Sequence, residues 1–424
     1  MPTHTVQFPF RLLRTNRNVC NLWLGETVSY FGDNFYDIAI MWFVFSKTGS
    51  GLQTGLVLVS AFLPQVVVGP FLGVLADRWN RKRMMQAASV IQALLTGALA
   101  LLILLNIVVM WEIYAVTMLL AVVQLAYSPA RAGMFPELLA TDELMSGNAL
   151  FSTSQQIARL VGSTVGGTFV AFAGASAAVA FDATTFLISA LFIHRVVYAP
   201  SDKASDNTGN TTIFGDMRVG WQWLWHKRVL LVLIAIGMAS NIALGPTNVL
   251  APMFIRQVMH ANASALGVFD ACIGLGIVVG GLTLGSLSSK RVGLLFACGI
   301  GLQGLALGAV ATAPDMFVAY VANFVLGLAV VAANLPTKTL FQTLVPSDMR
   351  GRIGSINSML SSVAIPITYG GIGMFGDTFG ARWSYGYGAI LLLCCMAAGL
   401  SVTSLRRLSI GKDHGQMQEP NLTV

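Results

Sequence analysis

The chain has 424 residues, 55% of them hydrophobic and only 10% charged, with a formal net charge of +7. A soluble domain of this size carries roughly a quarter charged residues, so this composition excludes a large soluble helical protein. The surplus of bases does not point to nucleic acid either, because bases flanking membrane spans follow the positive-inside rule.

The N-terminal stretch MPTHTVQFPFRLLRTNRN lacks a signal-peptide cleavage pattern, so the first span is expected to be retained. Apolar runs long enough for a bilayer core of about 30 Å predict twelve spans. They lie near 18–45, 52–76, 84–105, 111–131, 146–172, 175–197, 229–255, 264–286, 292–312, 315–341, 353–376 and 383–405. Span 1 holds three carboxylates, Glu26, Asp33 and Asp37, with Tyr30 between them. At 100° per residue the four positions fall within about 60° of one another. Carboxylates facing lipid would each cost several kcal/mol, so this stripe is expected to face a watery cavity or polar partners.

Between spans 2 and 3 the chain reads GVLADRWNRKRMM, one acid and four bases set between two apolar runs. Span 4 leaves through Pro129-Ala130-Arg131. Span 5 contains Arg159, the one base at depth and the expected partner of Glu26 or Asp33. It also carries Gly162-Ser163-x-x-Gly166-Gly167, small residues at a spacing that lets helices approach closely. Asp182 in span 6 and Asp270 in span 8 are further buried acids, Asp182 read first as structural. Residues 201–212, SDKASDNTGNTT, form a polar linker. Residues 213–228, with Trp221, Trp223 and Trp225, read as an amphipathic helix at the membrane surface. The polar residues of the later spans are mostly neutral, with Asn241 and Asn248 chosen as cavity candidates. GIGLQG at 299–304 lies inside span 9 with no strand before it, so it is not a dinucleotide loop. No Walker loop and no metal-ligand spacing occurs, and the five cysteines show no disulfide or zinc spacing. No metal and no cofactor is expected.

An even number of spans puts both termini on one side. That side carries 21 of the 25 lysines and arginines; the other has Lys47, Arg256 and Arg382, and Arg159 lies inside span 5. The termini and linker are therefore expected in the cytoplasm. The exits of spans 4 and 10, SPARAGMFPELLATDEL and LPTKTLFQTLVPSDMRGR, share Pro, a base two residues later, a second Pro and an Asp. A parallel six-plus-six repeat is a transporter architecture with its site at the midplane. The expected domains are a first bundle at 1–198, a linker and surface helix at 199–228, and a second bundle with its tail at 229–424.

Gly73-x-x-x-Asp77-Arg78-x-x-Arg81-Lys82 resembles the signature loop of the major facilitator superfamily. Asn80 stands where the family usually has Gly, and Asn also tolerates positive φ. The second copy keeps Gly285, Lys290 and Arg291 but has Ser289 in place of Asp. The span 5 motif is similar to the superfamily's antiporter motif, with Ser163 where that motif has Pro. Gly32-Asp33, Pro129-Ala130-Arg131 and the basic, aromatic helix before span 7 resemble the drug- and macrolide-efflux and siderophore-export branch. The resemblance implies an all-α integral membrane protein with two pseudo-symmetric six-helix bundles. It implies that the loop cluster, with Asp77 able to pair with Arg131, latches the cytoplasmic side. It also implies that span 1 lines a central cavity, where its carboxyls would be suited to reversible protonation.

The function expected is a secondary active transporter, not an enzyme. It would export a small organic solute, cationic or amphiphilic, across the inner membrane by proton antiport and alternating access. A dedicated siderophore or metabolite exporter, or a lipid-handling carrier of the same fold, is the alternative; a membrane receptor or enzyme is the alternative of another class. The expected partners are the solute, protons and membrane lipids, with no nucleic acid, and the chain is expected as a monomer.

Overall fold

In hydrocarbon every backbone N–H and C=O must be paired within the protein, and a helix does this inside one segment. The apolar runs obey this constraint. A computed structural model describes residues 9–69, 80–198, 221–225, 227–284, 292–346 and 349–402, and contains no strand among them. A short helix α1 (Pro9–Thr15) leads into α2 (Arg17–Thr48), α3 (Gly51–Val67), α4 (Arg81–Leu104), α5 (Met110–Glu137) and α6 (Leu144–Arg195). Then come α7 (Arg228–Ala243), the short α8 (Gly245–Val249) and α9 (Ala251–Met253), and a π-helical turn at Phe254–Val258. The chain continues with α10 (Ala263–Leu284), α11 (Val292–Thr312), α12 (Met316–Leu344), α13 (Arg350–Phe379) and α14 (Ala381–Ser401).

Local chemistry sets the breaks. Asn16 caps α2, its side chain accepting from the N–H groups of Asn18 and Val19 at 3.1 and 3.2 Å. Gly174, at φ 84°, interrupts α6 between the runs read as spans 5 and 6; only glycine takes that backbone without strain. The expected single span at 229–255 is instead broken at Leu244 and Leu250. Pro246 and Pro252 follow the two breaks, and a proline has no N–H for the helix ladder and crowds the carbonyl four residues back. Asn80 is corrected too. It takes φ −65° and caps α4 by accepting from the Arg83 N–H at 3.1 Å, so its use is capping rather than a positive-φ turn. Of the expected surface helix, residues 221–225 are helical, with Trp221 and Trp225 6.1 Å apart and Lys227 over the Trp223 ring at 5.8 Å; Arg228 already belongs to α7.

Among the described residues nine helices are long and apolar enough to cross a membrane, α6 counted once. α2 is long enough but falls outside that set, since its polar stripe lowers its hydropathy. Large apolar side chains such as Phe172 and Trp383 stand exposed on these helices, as lipid-facing surfaces require. The protein is a multi-pass membrane protein.

Packing divides the chain into two compact units. The first holds 1–49, 56–206 and 261–271; the second holds 50–55, 207–260 and 272–424. In the first, α2 lies along α6, which also packs on α4, while α4 meets α5. Leu12, Leu22, Met85, Met134, Phe135 and Phe151 belong to one buried apolar cluster within it. Helix α6 approaches α2 at two places. A Cβ on Gly162 or Gly166 would meet Asn34 and Phe35, and a Cβ on Gly32 would meet Thr185 and Asp182. In the second unit α11 packs between α12 and α14. There Ser240 donates to Gln303 at 2.9 Å in a buried pair.

Candidate functional site

The polar stripe of α2 opens into a cavity of about 290 Å³ inside the first unit. Four helices line it with residues at helical spacing. α2 gives Glu26, Ser29, Tyr30 and Asp33, and α4 gives Ser89 and Gln92. α5 gives Gln124, Tyr127, Ser128 and Arg131; α6 gives Asn148, Phe151, Ser152, Gln155, Phe186 and Ser189. Positions i, i+3, i+4 and i+7 share one helix face. Sequence reasoning passed over the stripes 124/127/128/131 and 148/151/152/155, although their spacing was visible.

Glu26 is 2% exposed and bears the tightest contacts of the site. Arg131 donates from Nε to its carboxylate at 2.6 Å, with Tyr127 and Tyr30 hydroxyls donating at 3.4 and 3.5 Å. The guanidinium of Arg131 also lies over the rings of Phe151 and Phe135, at 5.3 and 5.6 Å. This corrects two expectations. Glu26 takes Arg131 as its partner, not Arg159. Arg131, expected as a latch base, turns its side chain into the cavity. Periodicity shows which face a carboxylate occupies but not which neighbouring helix brings a base to its level.

Asp33 lines the cavity and accepts no hydrogen bond among the described residues. Asp37 lies one turn further, exposed and outside the cavity lining, where it feels the charges of Asp270 and Arg159. Arg159 reaches Asp270 at 3.9 Å, and Ser163 donates to Asp270 at 2.6 Å. Asp182, 1% exposed, receives a weak bond from Thr185 at 3.4 Å and faces the like charges of Asp33 and Asp37. The stripe read as one site is thus three settings: a paired acid, an acid open to the cavity, and an acid in a second ionic cluster.

The glycine motif acts on two faces. Gly162 and Gly166 admit α2, while Gly167 meets Ala263 and Gly267 of α10 closely enough that neither glycine could take a side chain without displacing backbone. Thr168 and Ser264 share a hydrogen bond of 3.1 Å beside that contact. Of the loop motif, Gly73, Asp77 and Arg78 lie outside the described residues. Arg81 donates to Glu137 at 2.6 Å and to the Gly133 carbonyl at 3.1 Å; Lys82 donates to the His194 carbonyl at 2.8 Å. These two bases tie α4 to α5 and α6. Asn241 and Asn248 sit in the second unit, both exposed, and do not line this cavity; Asn248 donates to the Leu244 carbonyl at 3.3 Å. A feature missed in the sequence is Asp377 of α13, which accepts from Ser50 Oγ at 2.6 Å and from the Gly51 and Leu52 N–H groups, capping α3.

A family profile described as transmembrane secretion effector matches residues 9–423. The chain is 23% identical to macrolide efflux protein A of Streptococcus pyogenes over 393 residues, 92% of this chain and 96% of that protein. It is 24% identical to the multidrug efflux pump Tap of Mycobacterium bovis (strain BCG / Pasteur 1173P2) over 395 residues, 89% and 92% of the two chains. Among solved structures the nucleoside transporter NupG superposes with a TM-score of 0.71 at 14% identity, covering 91% of this chain and 98% of its own. At that identity the likeness concerns the fold.

Proposed function

This chain belongs to the transmembrane secretion effector family of the major facilitator superfamily of membrane transporters, and we propose that it exports a small organic cation in exchange for protons. In this reading it is a monomer in the inner membrane, with both termini and the linker in the cytoplasm. Residues 1–198 and 229–424 act as two bundles that alternate access to the solute, joined by 199–228. The lipids around it are its solvent, and it performs no catalysis.

The observation that carries the reading is Asp33. It lines the cavity with no hydrogen-bonding partner among the described residues, whereas Glu26, seven residues earlier on the same face of α2, is held by Arg131. A carboxyl in that position can bind a proton or a cationic solute but not both with full strength, and such competition is the physical basis of antiport. An intramembrane ionisable residue facing a cavity is the first place to look for function, because a charge in the bilayer is costly to keep. The names of the relatives, a macrolide efflux protein and a multidrug efflux pump, favour the outward direction. Asp37, Asp270 and Arg159 form a second ionic cluster that protons could reach. Asp77 and its neighbours would latch the cytoplasmic side, as the loop motif implies.

The test is flux in proteoliposomes with an imposed pH gradient, screened over small organic cations. The expected result is gradient-driven accumulation of at least one of them, abolished by Asp33→Asn while downhill exchange persists. If Asp33→Asn concentrates the same solute at the wild-type rate, Asp33 is not the coupling group.

A further inference from the structure

Arg131 has donors to spare. A guanidinium offers five N–H donors in one plane. Its Nε edge is occupied by Glu26, and aromatic rings lie against it, yet its Nη groups donate to nothing among the described residues while the side chain lines the cavity. The ion pair with Glu26 and the ring contacts hold this fork in one orientation. A planar guanidinium fork of this kind matches the two oxygens of a carboxylate or a phosphate, and a carboxylate carries the single charge that suits a cation already paired once.

Asp33 lies seven residues from Glu26 on α2. That is about 10 Å along the axis and only about 20° around it. The cavity therefore presents a carboxylate at the height of Asp33 and a planar cationic fork near the height of Glu26. Among the other side chains lining the cavity, Ser29, Gln92, Gln124 and Ser189 are hydrogen-bonding groups. A lone organic cation would satisfy Asp33 but leave the Arg131 fork without an acceptor, and unfilled donors in a desolvated site cost affinity. A volume of 290 Å³ is at the small end for ligand cavities.

We propose that Arg131 is the carboxylate-recognising residue of this cavity, and that the solute is a small zwitterion whose ammonium meets Asp33 and whose carboxylate meets Arg131 across a polar spacer. The proposal rests on the reading of the cavity as the solute site and of Asp33 as the group that meets the solute's ammonium; it replaces the simple cation of that reading by a zwitterion. Glu26 becomes a positioning residue that holds the fork; Asp33 remains the group that protons and solute share.

Triglycine is a suitable probe, since its charges lie roughly two helical turns apart and its amides suit the polar lining. Its carboxamide lacks the acid, and N-acetyltriglycine lacks the ammonium. Binding of each to the purified full chain in lipid nanodiscs is measured by titration calorimetry up to tens of millimolar. The expected result is triglycine binding about tenfold or more tighter than either relative, the loss appropriate to one charge-assisted pair. In the neutral swap Glu26→Gln with Arg131→Gln, triglycine should fall to the level of its carboxamide. Asp33→Asn should remove only the preference over the N-acetyl form. The proposal is overturned if the wild-type protein binds triglycine no tighter than the carboxamide, if it binds none of the three, or if the preference survives the neutral swap. The wild-type comparison stands even if a variant does not fold. Triglycine preference without proton-driven flux would overturn the antiport reading alone, and proton-driven flux of a simple cation without that preference would overturn the zwitterion alone.

Discussion

Replacing Arg131 by Gln should injure the protein more than replacing Glu26 by Gln, and replacing both should injure it less than Arg131→Gln alone. The two members of the pair are unequally buried: Glu26 keeps 2% of its side chain exposed and Arg131 keeps 28%, open to the cavity. Removing one partner of a buried pair costs about 3–5 kcal/mol, because the remaining charge is stranded. Arg131→Gln strands the buried carboxylate, with only the long bonds from Tyr30 and Tyr127 left to it, so the full range applies. Glu26→Gln strands a guanidinium that cavity water can reach, and about 1–2 kcal/mol is expected. The double replacement removes both charges, and such neutral exchanges are often close to harmless, leaving a coupling energy of at least about 2 kcal/mol. Unfolding entropy scales with chain length, so each kcal/mol moves the midpoint by roughly 1–2 °C here. Tryptophan-fluorescence melting of the four proteins in one detergent should therefore rank wild type, Glu26→Gln or the double variant, then Arg131→Gln, the last lower by about 3–10 °C. Equal losses from the two single variants, adding up in the double, would refute the argument that this pair is one buried electrostatic unit.

Gly167→Leu should push α10 away from α6, since even a Cβ there meets the Ala263 carbonyl and Gly267; overpacking of this kind costs about 1–3 kcal/mol, readable as a lower melting midpoint, whereas Gly281→Leu, whose Cβ meets nothing, should be neutral by the same measurement. Asp377→Ala should uncap α3 and cost about 1 kcal/mol, with faster amide exchange at residues 51–54 as the local readout. Ser163→Ala should weaken the hold on Asp270 by roughly 0.5–1.5 kcal/mol and, in a double-mutant cycle, show coupling to Asp270→Asn but none to Glu26→Gln.

Several spans were legible because a bilayer imposes a length and a polarity on any segment that crosses it. The run read at 292–312 is α11 to the residue, and the pause between spans 5 and 6 is Gly174. The family was legible in a loop motif of which the described residues include only Asn80, Arg81 and Lys82, since such motifs belong to the chain rather than to its packing. The face of α2 that carries Glu26, Tyr30 and Asp33 was legible too, because helical periodicity is a property of one segment. What one segment cannot encode is which other segment stands opposite it and at what height. Arg159 was the base expected for Glu26, and Arg131 the base expected for Asp77; both lie more than a hundred residues from Glu26 in sequence. Only the docking of α5 beside α2 decided for Arg131, and only the seating of α10 against Gly167 brought Asp270 to Arg159. The same holds for Asp377, an unremarked acid in the sequence that becomes the cap of a helix more than three hundred residues earlier. Charges buried in a membrane must find partners, but the geometry of helix packing chooses them. That choice separates the acid that is spent on structure from the acid left open to a solute.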